Sequence, residues 1–204
     1  MDSLDKASGE HASTSTSRSL LARVHANDPG AWDRLITLYA PLVWHWCRKL
    51  ALPDQEIPDV FQEVCQAVAG HIHDFHKDQP KDTFRGWLRT ITRNKVFDRF
   101  RALQREPLAV GGSSAQMRWS QIPEANWDEE ADGNEAHHLL LQRALALIQC
   151  EFEERTWRAF SRVVVDGMSP HDVAGELGMS AGAVRVAKCR VLHRLRQELG
   201  DLPS

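Results

Sequence analysis

The C-terminal residues 169–204 constrain the fold of this chain most, because they carry the spacing of a helix-turn-helix. A short helical pattern is followed by a turn and then by a second helical pattern. Ala174, Gly178 and Val184 stand where the motif needs a small residue at the helix crossing, a left-handed turn residue and an apolar anchor. Ser180 can cap the second helix, since its hydroxyl can accept an orphan backbone N–H.

The second helix of this motif carries charges of one sign, because no acidic residue lies between Ala181 and Gln197. Its basic residues are Arg185, Lys188, Arg190, Arg194 and Arg196. A positive helix presented in this way fits the major groove of DNA. The alternative is a helical hairpin with a solvated basic face. The coincidence of structural positions, cap and one-sided charge favours the helix-turn-helix.

Charge is divided by segment along the chain. The net charge of −3 argues against a nucleic-acid-binding protein when the chain is taken as a whole. However, residues 85–105 hold seven basic residues and the single acid Asp98, whereas residues 106–136 hold seven acids and only Arg118. Two basic patches therefore flank an acidic segment.

The segment between the N-terminal tail and residue 105 predicts helices. Asp28 and Pro29 provide an N-cap and a first helical residue, and Pro41 is expected to kink or split the helix that follows. A third helix is predicted from about residue 58 to 75 and a fourth from about residue 83. The third should bury the side chains that recur every four residues, which are Val60, Val64, Val68 and Ile72.

These patterns predict an all-α protein with two small helical domains. We expect a disordered tail over residues 1–17, a first domain over 18–105, an acidic flexible linker over 106–134 and a second domain over 135–204. No strand alternation or internal repeat is present in the sequence.

Several other classes are disfavoured. The opening segment lacks the apolar core of a signal peptide, and no apolar run approaches the roughly 20 residues that span a membrane. The four widely spaced cysteines fit reduced thiols, so we expect a cytoplasmic protein without membrane insertion. His71 and His73 point about 200° apart on a helix, which disfavours a metal site there with His76 and Cys65. We expect no metal, no cofactor and no catalysis.

Three ordered motifs resemble the sigma-70 family of transcription initiation factors. The pattern F-x-x-W-L-x-x-I-T-R-N-x-x-x-D-x-x-R over residues 84–101 is similar to the family's promoter-melting and −10-recognition helix. The segment D-V-F-Q-E-V over residues 59–64 resembles the helix that docks on polymerase, and the helix-turn-helix resembles the domain that binds the −35 element. The presence of these two domains alone is typical of the extracytoplasmic-function (ECF) group.

The resemblance assigns a polymerase-binding face to the third helix. Its offsets of three, four and seven residues place polar groups on one side. These residues are Asp59, Gln62, Glu63 and Gln66. The implied partner is the clamp-helix region of the large catalytic subunit of RNA polymerase. A merely solvated face is the alternative.

The resemblance also assigns a −10 DNA surface to the fourth helix. Its residues are Arg85, Arg89, Arg93, Asn94, Arg99 and Arg101. Arginines repeated every four residues can follow one phosphate backbone, and Asn94 can donate to and accept from a base edge. The loop over residues 73–81 is a candidate for the pocket of an extruded base. The spacing of Trp87 favours a core position over stacking on a base.

In the C-terminal motif the expected −35 contacts are Ser180, Arg185, Lys188, Cys189 and Arg190. Val184, Val191 and Leu195 should face the core. The family often has a small polar residue where this chain has Val186, which leaves the preferred base at that position open. Arg194 and Arg196 are assigned to phosphates or to the polymerase flap, with a solvated helix end as the alternative.

The resemblance implies an ECF sigma factor that directs promoter-specific initiation. Its partners would be core RNA polymerase, promoter DNA and, as a further partner, an anti-sigma factor. Two alternatives are a sigma-like decoy that binds an anti-sigma protein and an independent helix-turn-helix repressor. The negative charge of the acidic linker has three explanations. The family suggests that the linker runs toward the RNA channel of the polymerase. Alternatively, the linker screens the basic helices in the free protein, or it only keeps the protein in solution.

Overall fold

A computed structural model describes residues 18–76, 83–105 and 129–199. Within these ranges the chain forms eight α-helices and no strand, which confirms the all-α prediction. The helices are α1 (Arg18–His25), α2 (Pro29–Lys49), α3 (Ile57–His71), α4 (Phe84–Arg105), α5 (Glu129–Ile148), α6 (Glu154–Val164), α7 (Pro170–Leu177) and α8 (Ala181–Leu199). Single 3-10 turns cover Asp54–Glu56, Ile72–Asp74 and Gln149–Glu151. None of the helices in the described part is long and apolar enough to cross a membrane.

Helix α2 begins where the sequence indicates and does not break at Pro41. The Asp28 carboxylate accepts hydrogen bonds from the backbone N–H groups of Gly30, at 2.9 Å, and Ala31, at 3.3 Å. The predicted split at Pro41 is wrong, because one helix runs from Pro29 to Lys49. A proline inside a helix costs about 3 kcal/mol, but Leu38 and Leu42 on either side are buried, and this packing offsets the loss.

Helix α3 presents the predicted apolar face to the core. Val60, Val64, Val68 and Ile72 are each at most 4 % exposed. The α-helix itself ends at His71, earlier than predicted, and a 3-10 turn continues it to Asp74. The period of four therefore identified the buried face correctly and overestimated the length of the helix.

The helices of the two predicted domains share one apolar core. Helix α5 packs against both α2 and α8, and its residues Leu140, Ala144 and Ile148 belong to the same buried cluster as the core of α1–α4. A second, smaller cluster joins α6 to the two helices of the helix-turn-helix. Helix α5 begins at Glu129, before the predicted domain boundary at residue 135. Residues 106–128 of the predicted linker and the tail 1–17 lie outside the described residues, so the domain division stays a prediction.

A cluster of four charged side chains lies beside this shared core. Arg34 Nε of α2 donates to Glu198 Oε1 of α8 at 2.5 Å, and Arg34 Nη2 lies 3.1 Å from Glu151 Oε1. Arg194 joins the same two carboxylates, at 2.5 Å to Glu151 and 2.8 Å to Glu198. We call these four residues the interhelix charge cluster. Arg194, assigned from the sequence to phosphates or the polymerase flap, is thus engaged inside the protein.

Glu198 is the least exposed member of the interhelix charge cluster, with a side chain that is 6 % exposed. Burial alone raises the pKa of its carboxyl, but hydrogen bonds from Arg34 and Arg194 outweigh burial and lower the pKa overall. Arg34 responds in the opposite direction, since its hydrogen bond to Glu198 raises the pKa of the guanidinium. Glu198 is therefore held as a carboxylate between two cations.

We predict that Glu198→Gln lowers the free energy of unfolding by about 1–3 kcal/mol, because two partly buried guanidinium groups each lose the more buried of their two carboxylate partners. The matched control is Glu176→Gln, which removes a carboxylate 3.0 Å from Arg162 with both side chains at least 33 % exposed. An exposed pair of this kind contributes roughly 0–1 kcal/mol. Urea unfolding followed by ellipticity measures both changes.

The pH dependence gives a second readout of Glu198→Gln. The folded-state pKa of Glu198 lies below its ordinary value of 4.5. Its contribution is therefore complete above that value and is lost as pH falls through the folded-state pKa. The difference in the free energy of unfolding between wild type and Glu198→Gln should therefore shrink as the pH falls below 4.5. Equal losses in Glu198→Gln and Glu176→Gln near neutral pH would show that the cluster does not hold the helices together.

Candidate nucleic-acid and polymerase interface

The turn of the helix-turn-helix is built from three local features of the sequence. The Ser169 hydroxyl accepts a hydrogen bond from the Asp172 N–H at 3.2 Å and caps α7. Gly178 ends that helix in the left-handed conformation, with φ of 59° and ψ of 42°. The Ser180 hydroxyl then accepts from the Ala183 N–H at 3.1 Å, which confirms the predicted cap of α8. The recognition helix α8 is thus set at a defined angle to α7.

Arg155 of α6 also holds this turn, and sequence reasoning did not find it. Its guanidinium donates to the Leu177 carbonyl at 2.7 Å and to the Gly178 carbonyl. Carbonyl groups at the end of a helix attract cations. The sequence carries no sign of this contact, because 22 residues separate Arg155 from Leu177 and no pattern links them.

The recognition helix buries one side and exposes the other. Val184, Val191 and Leu195 are buried, as the sequence predicts. Among the expected DNA contacts Arg185, Cys189 and Arg190 are exposed, as is the cap residue Ser180, while Lys188 is half-buried. Three of the four helix side chains expected to face DNA are therefore open to it in this structure.

The −10 residues from the middle of α4 onward fall into two groups. Asn94 and Arg101 are exposed, and Arg101 Nη2 lies 3.2 Å from Asp98 Oδ1. Arg99 is instead engaged with Glu56, whose Oε2 lies 2.5 Å from its Nη2, so it ties α4 to the turn before α3. Asn94 and Arg101 can reach a nucleic acid directly, whereas Arg99 serves the packing of the helices.

Arg85, Arg89 and Arg93 do not form the open basic stripe that their spacing suggests. All three side chains are half-buried, and Arg85 Nη1, Arg89 Nη2 and Arg93 Nε lie out of contact with solvent. Burial, followed by the charge of Arg85, lowers the pKa of His137 on α5, which places α5 next to the start of this stripe. The stripe is partly enclosed by the fold.

The polymerase-docking face predicted on α3 is largely open. Asp59, Gln62 and Gln66 are exposed, and Glu63 is half-buried with its Oε2 3.7 Å from Lys95 Nζ. Beside them an apolar cavity of about 360 Å³ lies between α2, α3 and the start of α4, and Gln62 and Gln66 are among its lining residues. Polar groups at the edge of an apolar depression are the usual composition of a protein-binding surface.

Trp87 belongs to an aromatic cluster, which supports the core position favoured by its spacing. Its ring centroid lies 5.2 Å from that of Phe75 and 5.6 Å from that of Phe84, and Tyr39 packs edge-on against Phe84 at 5.1 Å. The candidate base pocket over residues 73–81 lies mostly outside the described residues. Among the residues that the structure describes, no three His, Cys, Asp or Glu side chains are grouped to hold a metal ion.

Comparison with known proteins decides the family. The model of sigma-70 region 2 matches residues 35–106. The chain is 32 % identical over 188 residues to the ECF RNA polymerase sigma factor ShbA of Streptomyces griseus, covering 87 % of this chain and 92 % of that protein. The chain belongs to the ECF RNA polymerase sigma factors. This ECF sigma factor is also 29 % identical to SigD of Mycobacterium tuberculosis, over 88 % of its own length and 82 % of SigD. Among solved structures it is similar to CnrH in complex with the cytosolic domain of CnrY, with 22 % identity, coverage of 88 % and 94 %, and a TM-score of 0.37.

The sigma-70 region 2 match and the site residues overlap only in part. Residues 35–106 contain the predicted polymerase-docking residues of α3 and the predicted −10 residues of α4. The −35 residues of α8 lie beyond that range. Their assignment rests on the geometry of the helix-turn-helix and on relatives that cover most of the chain.

We predict that Gly178→Ala destabilises the protein by about 1–2 kcal/mol, because an L-residue in the left-handed conformation carries a steric cost. Space is not the cause, since the added Cβ would lie 3.6 Å from Arg155 Nη2, an ordinary contact. Gly175→Ala is the matched control: it lies within α7, and its added Cβ would meet nothing within 4 Å. That change should stabilise the protein by roughly 0.5–1 kcal/mol. Urea unfolding gives both values, and changes of the same sign would contradict the assigned turn.

Proposed function

We propose that this ECF sigma factor docks on core RNA polymerase through α3, opens the −10 region with α4 and binds duplex −35 DNA with α8. The observation that carries the DNA-binding part is the orientation of α8. Val184, Val191 and Leu195 are buried on one side of the helix, and Arg185 and Arg190 are exposed away from it. Such a helix can enter the major groove without any rearrangement within the motif.

For polymerase docking, support comes from the exposed groups of α3 and the cavity beside them. Asp59, Gln62 and Gln66 offer acceptors and donors on one helix face, and the cavity next to them is almost entirely apolar. A partner helix laid along this face would bury apolar side chains in the depression and pair with the polar groups at its edge. The clamp-helix region of polymerase is the partner that the family implies.

For the −10 region, the accessible groups are Asn94 and Arg101. Asn94 can donate and accept at once, so it suits a base edge, while Arg101 suits a phosphate. The half-buried stripe of Arg85, Arg89 and Arg93 adds positive potential along α4. With some guanidinium nitrogens enclosed, these arginines can orient a strand through the groups that remain accessible and through their charge.

The catalytic chemistry belongs to the polymerase, and this chain supplies recognition and strand separation, with no enzymatic activity of its own. We place it in the cytoplasm with the polymerase. At a net charge of −3 the free protein should bind DNA weakly. On the polymerase, two weak DNA-binding modules act on one promoter, which raises the effective concentration of each. An anti-sigma factor as a further partner stays a prediction.

We predict that Arg185→Ala and Arg190→Ala each lower initiation by roughly 10- to 100-fold on a promoter that the holoenzyme selects, because each removes one base or phosphate contact. Open complexes are measured by permanganate footprinting at limiting holoenzyme, and binding to core polymerase is measured in parallel and should not change. Arg48→Ala is the control, since it removes an exposed cation of α2 that pairs with Asp54 at 3.1 Å.

The alternatives predict different outcomes for the same variants. Under the decoy hypothesis the two arginine variants would be silent, because no promoter is bound. Under the repressor hypothesis the protein without polymerase would bind a palindromic site tightly as a dimer. Loss of initiation with core binding retained is expected of a sigma factor alone.

A further inference from the structure

The recognition helix carries an exposed apolar side chain that the fold does not explain. Among the described residues, only four large apolar side chains are exposed, and Val186 is the one on α8, with 57 % of its surface accessible. Residues on a helix advance by about 100°, so Val186 points about 200° away from the buried Val184. Val186 therefore stands at the centre of the outward side, where a helix in the groove reaches deepest.

Neither packing nor helix propensity favours valine at this position. An exposed side chain gains no burial within the protein, and a β-branched residue forms helix less well than alanine, lysine or glutamine. An exposed apolar side chain gains free energy when something outside the chain covers it. The proposed function places α8 in the major groove, whose floor would cover Val186.

The neighbours of Val186 on the same line of the helix are also unable to make strong directional contacts. Gly182 lies one turn before it and the exposed Cys189 about one turn after it. A Cβ added at Gly182 would meet only the Ser180 hydroxyl oxygen at 3.8 Å, so the fold does not require glycine there. Small side chains along this line allow the helix backbone to approach the bases closely. The exposed Arg185 and Arg190 lie to the two sides of the line.

The major groove offers one apolar group to the side chains along this line of the helix. The base edges in the major groove present hydrogen-bond donors and acceptors, and thymine alone adds a C5-methyl group. Valine neither donates nor accepts a hydrogen bond, so its favourable contact in the groove is that methyl group. The flanking arginines suit guanine edges or phosphates.

We infer that Val186 is a specificity-determining residue that contacts the C5-methyl group of a thymine in the −35 element. The inference rests on the proposed function, because it takes α8 to be the helix that binds this element. It assigns an A·T pair to the centre of the bound sequence, with the bases read by Arg185 and Arg190 to either side. The family often has a small polar side chain at the position of Val186. With valine there, the methyl contact makes thymine the preferred base.

The test removes the methyl group and leaves the hydrogen bonds of the base pair unchanged. Holoenzyme made with the full chain first selects −35 sequences from duplexes randomised over that element. Each selected thymine is then replaced by deoxyuridine, one at a time, and holoenzyme affinity is measured by competition. At one position the loss should be about fourfold, the value of one buried methyl group.

The variant Val186→Ala isolates the residue responsible. Alanine at this exposed helical position keeps or improves the fold. With Val186→Ala the ratio of the affinities for thymine and deoxyuridine templates should fall from about four toward one at that position. At the other positions the ratio should stay unchanged. Val165→Ala is the control, since Val165 is 69 % exposed and lies outside the recognition helix. That variant should retain the fourfold difference.

The outcomes separate this inference from the proposed function. If holoenzyme selects no −35 sequence, the proposed function itself fails. If it selects one, and wild type and Val186→Ala lose affinity equally on every thymine replacement, the methyl contact is wrong and the initiation role stands. Val186→Ala could also lower holoenzyme affinity by the same factor on thymine and deoxyuridine templates. That result would overturn the inference and point to a protein partner at this side chain.

Discussion

Helix α2 is the element on which the rest of this structure depends. Its buried residues lie on two adjoining faces, and among them Leu38, Trp46 and Cys47 are almost completely enclosed. A helix with so wide an apolar surface has to be covered on several sides. Helices α1, α3, α4 and α5 supply that cover. Burial raises the pKa of the Cys47 thiol to about 12, so this side chain stays neutral and packs as a small apolar group.

The covering of α2 determines which surfaces remain available for partners. Helix α3 uses its valine face against the core, which leaves Gln62 and Gln66 outward beside the apolar cavity. Helix α5 completes the cover and lies next to the start of the arginine stripe of α4. The buried side of α8 packs against α6 and α7, so its outward side with Arg185 and Arg190 stays exposed. The proposed docking and −35 surfaces are consequently open, while the arginine stripe is partly enclosed.

The sequence predicts well those features of the structure that depend on neighbouring residues. The period of valines in α3, the caps Asp28 and Ser180, and the left-handed Gly178 each depend on residues within a few positions, and the structure shows all of them. The failures have a common cause. Pro41 is expected to kink or split the helix because its local cost is visible in the sequence, whereas the packing that keeps the helix continuous is not.

Long-range polar contacts were beyond prediction for the same physical reason. Arg34 meets Glu198 across 164 positions of the chain, and Arg99 meets Glu56 across 43. Periodicity shows which side of a helix is polar, but it does not show whether solvent, DNA or another helix faces that side. Arg99 and Arg194 were therefore assigned to nucleic acid or polymerase, although the fold engages both. Val186 is the converse case, since only its exposure in the folded helix-turn-helix shows that an apolar group faces outward.

The most direct test of the initiation role is transcription in vitro with core RNA polymerase on fragmented genomic DNA of the source organism. Transcript 5′ ends are sequenced with and without the full chain. The account predicts start sites that appear only with the protein and that share a two-part upstream motif at −35 and −10. Absence of protein-dependent starts, together with no binding to core polymerase, would contradict it.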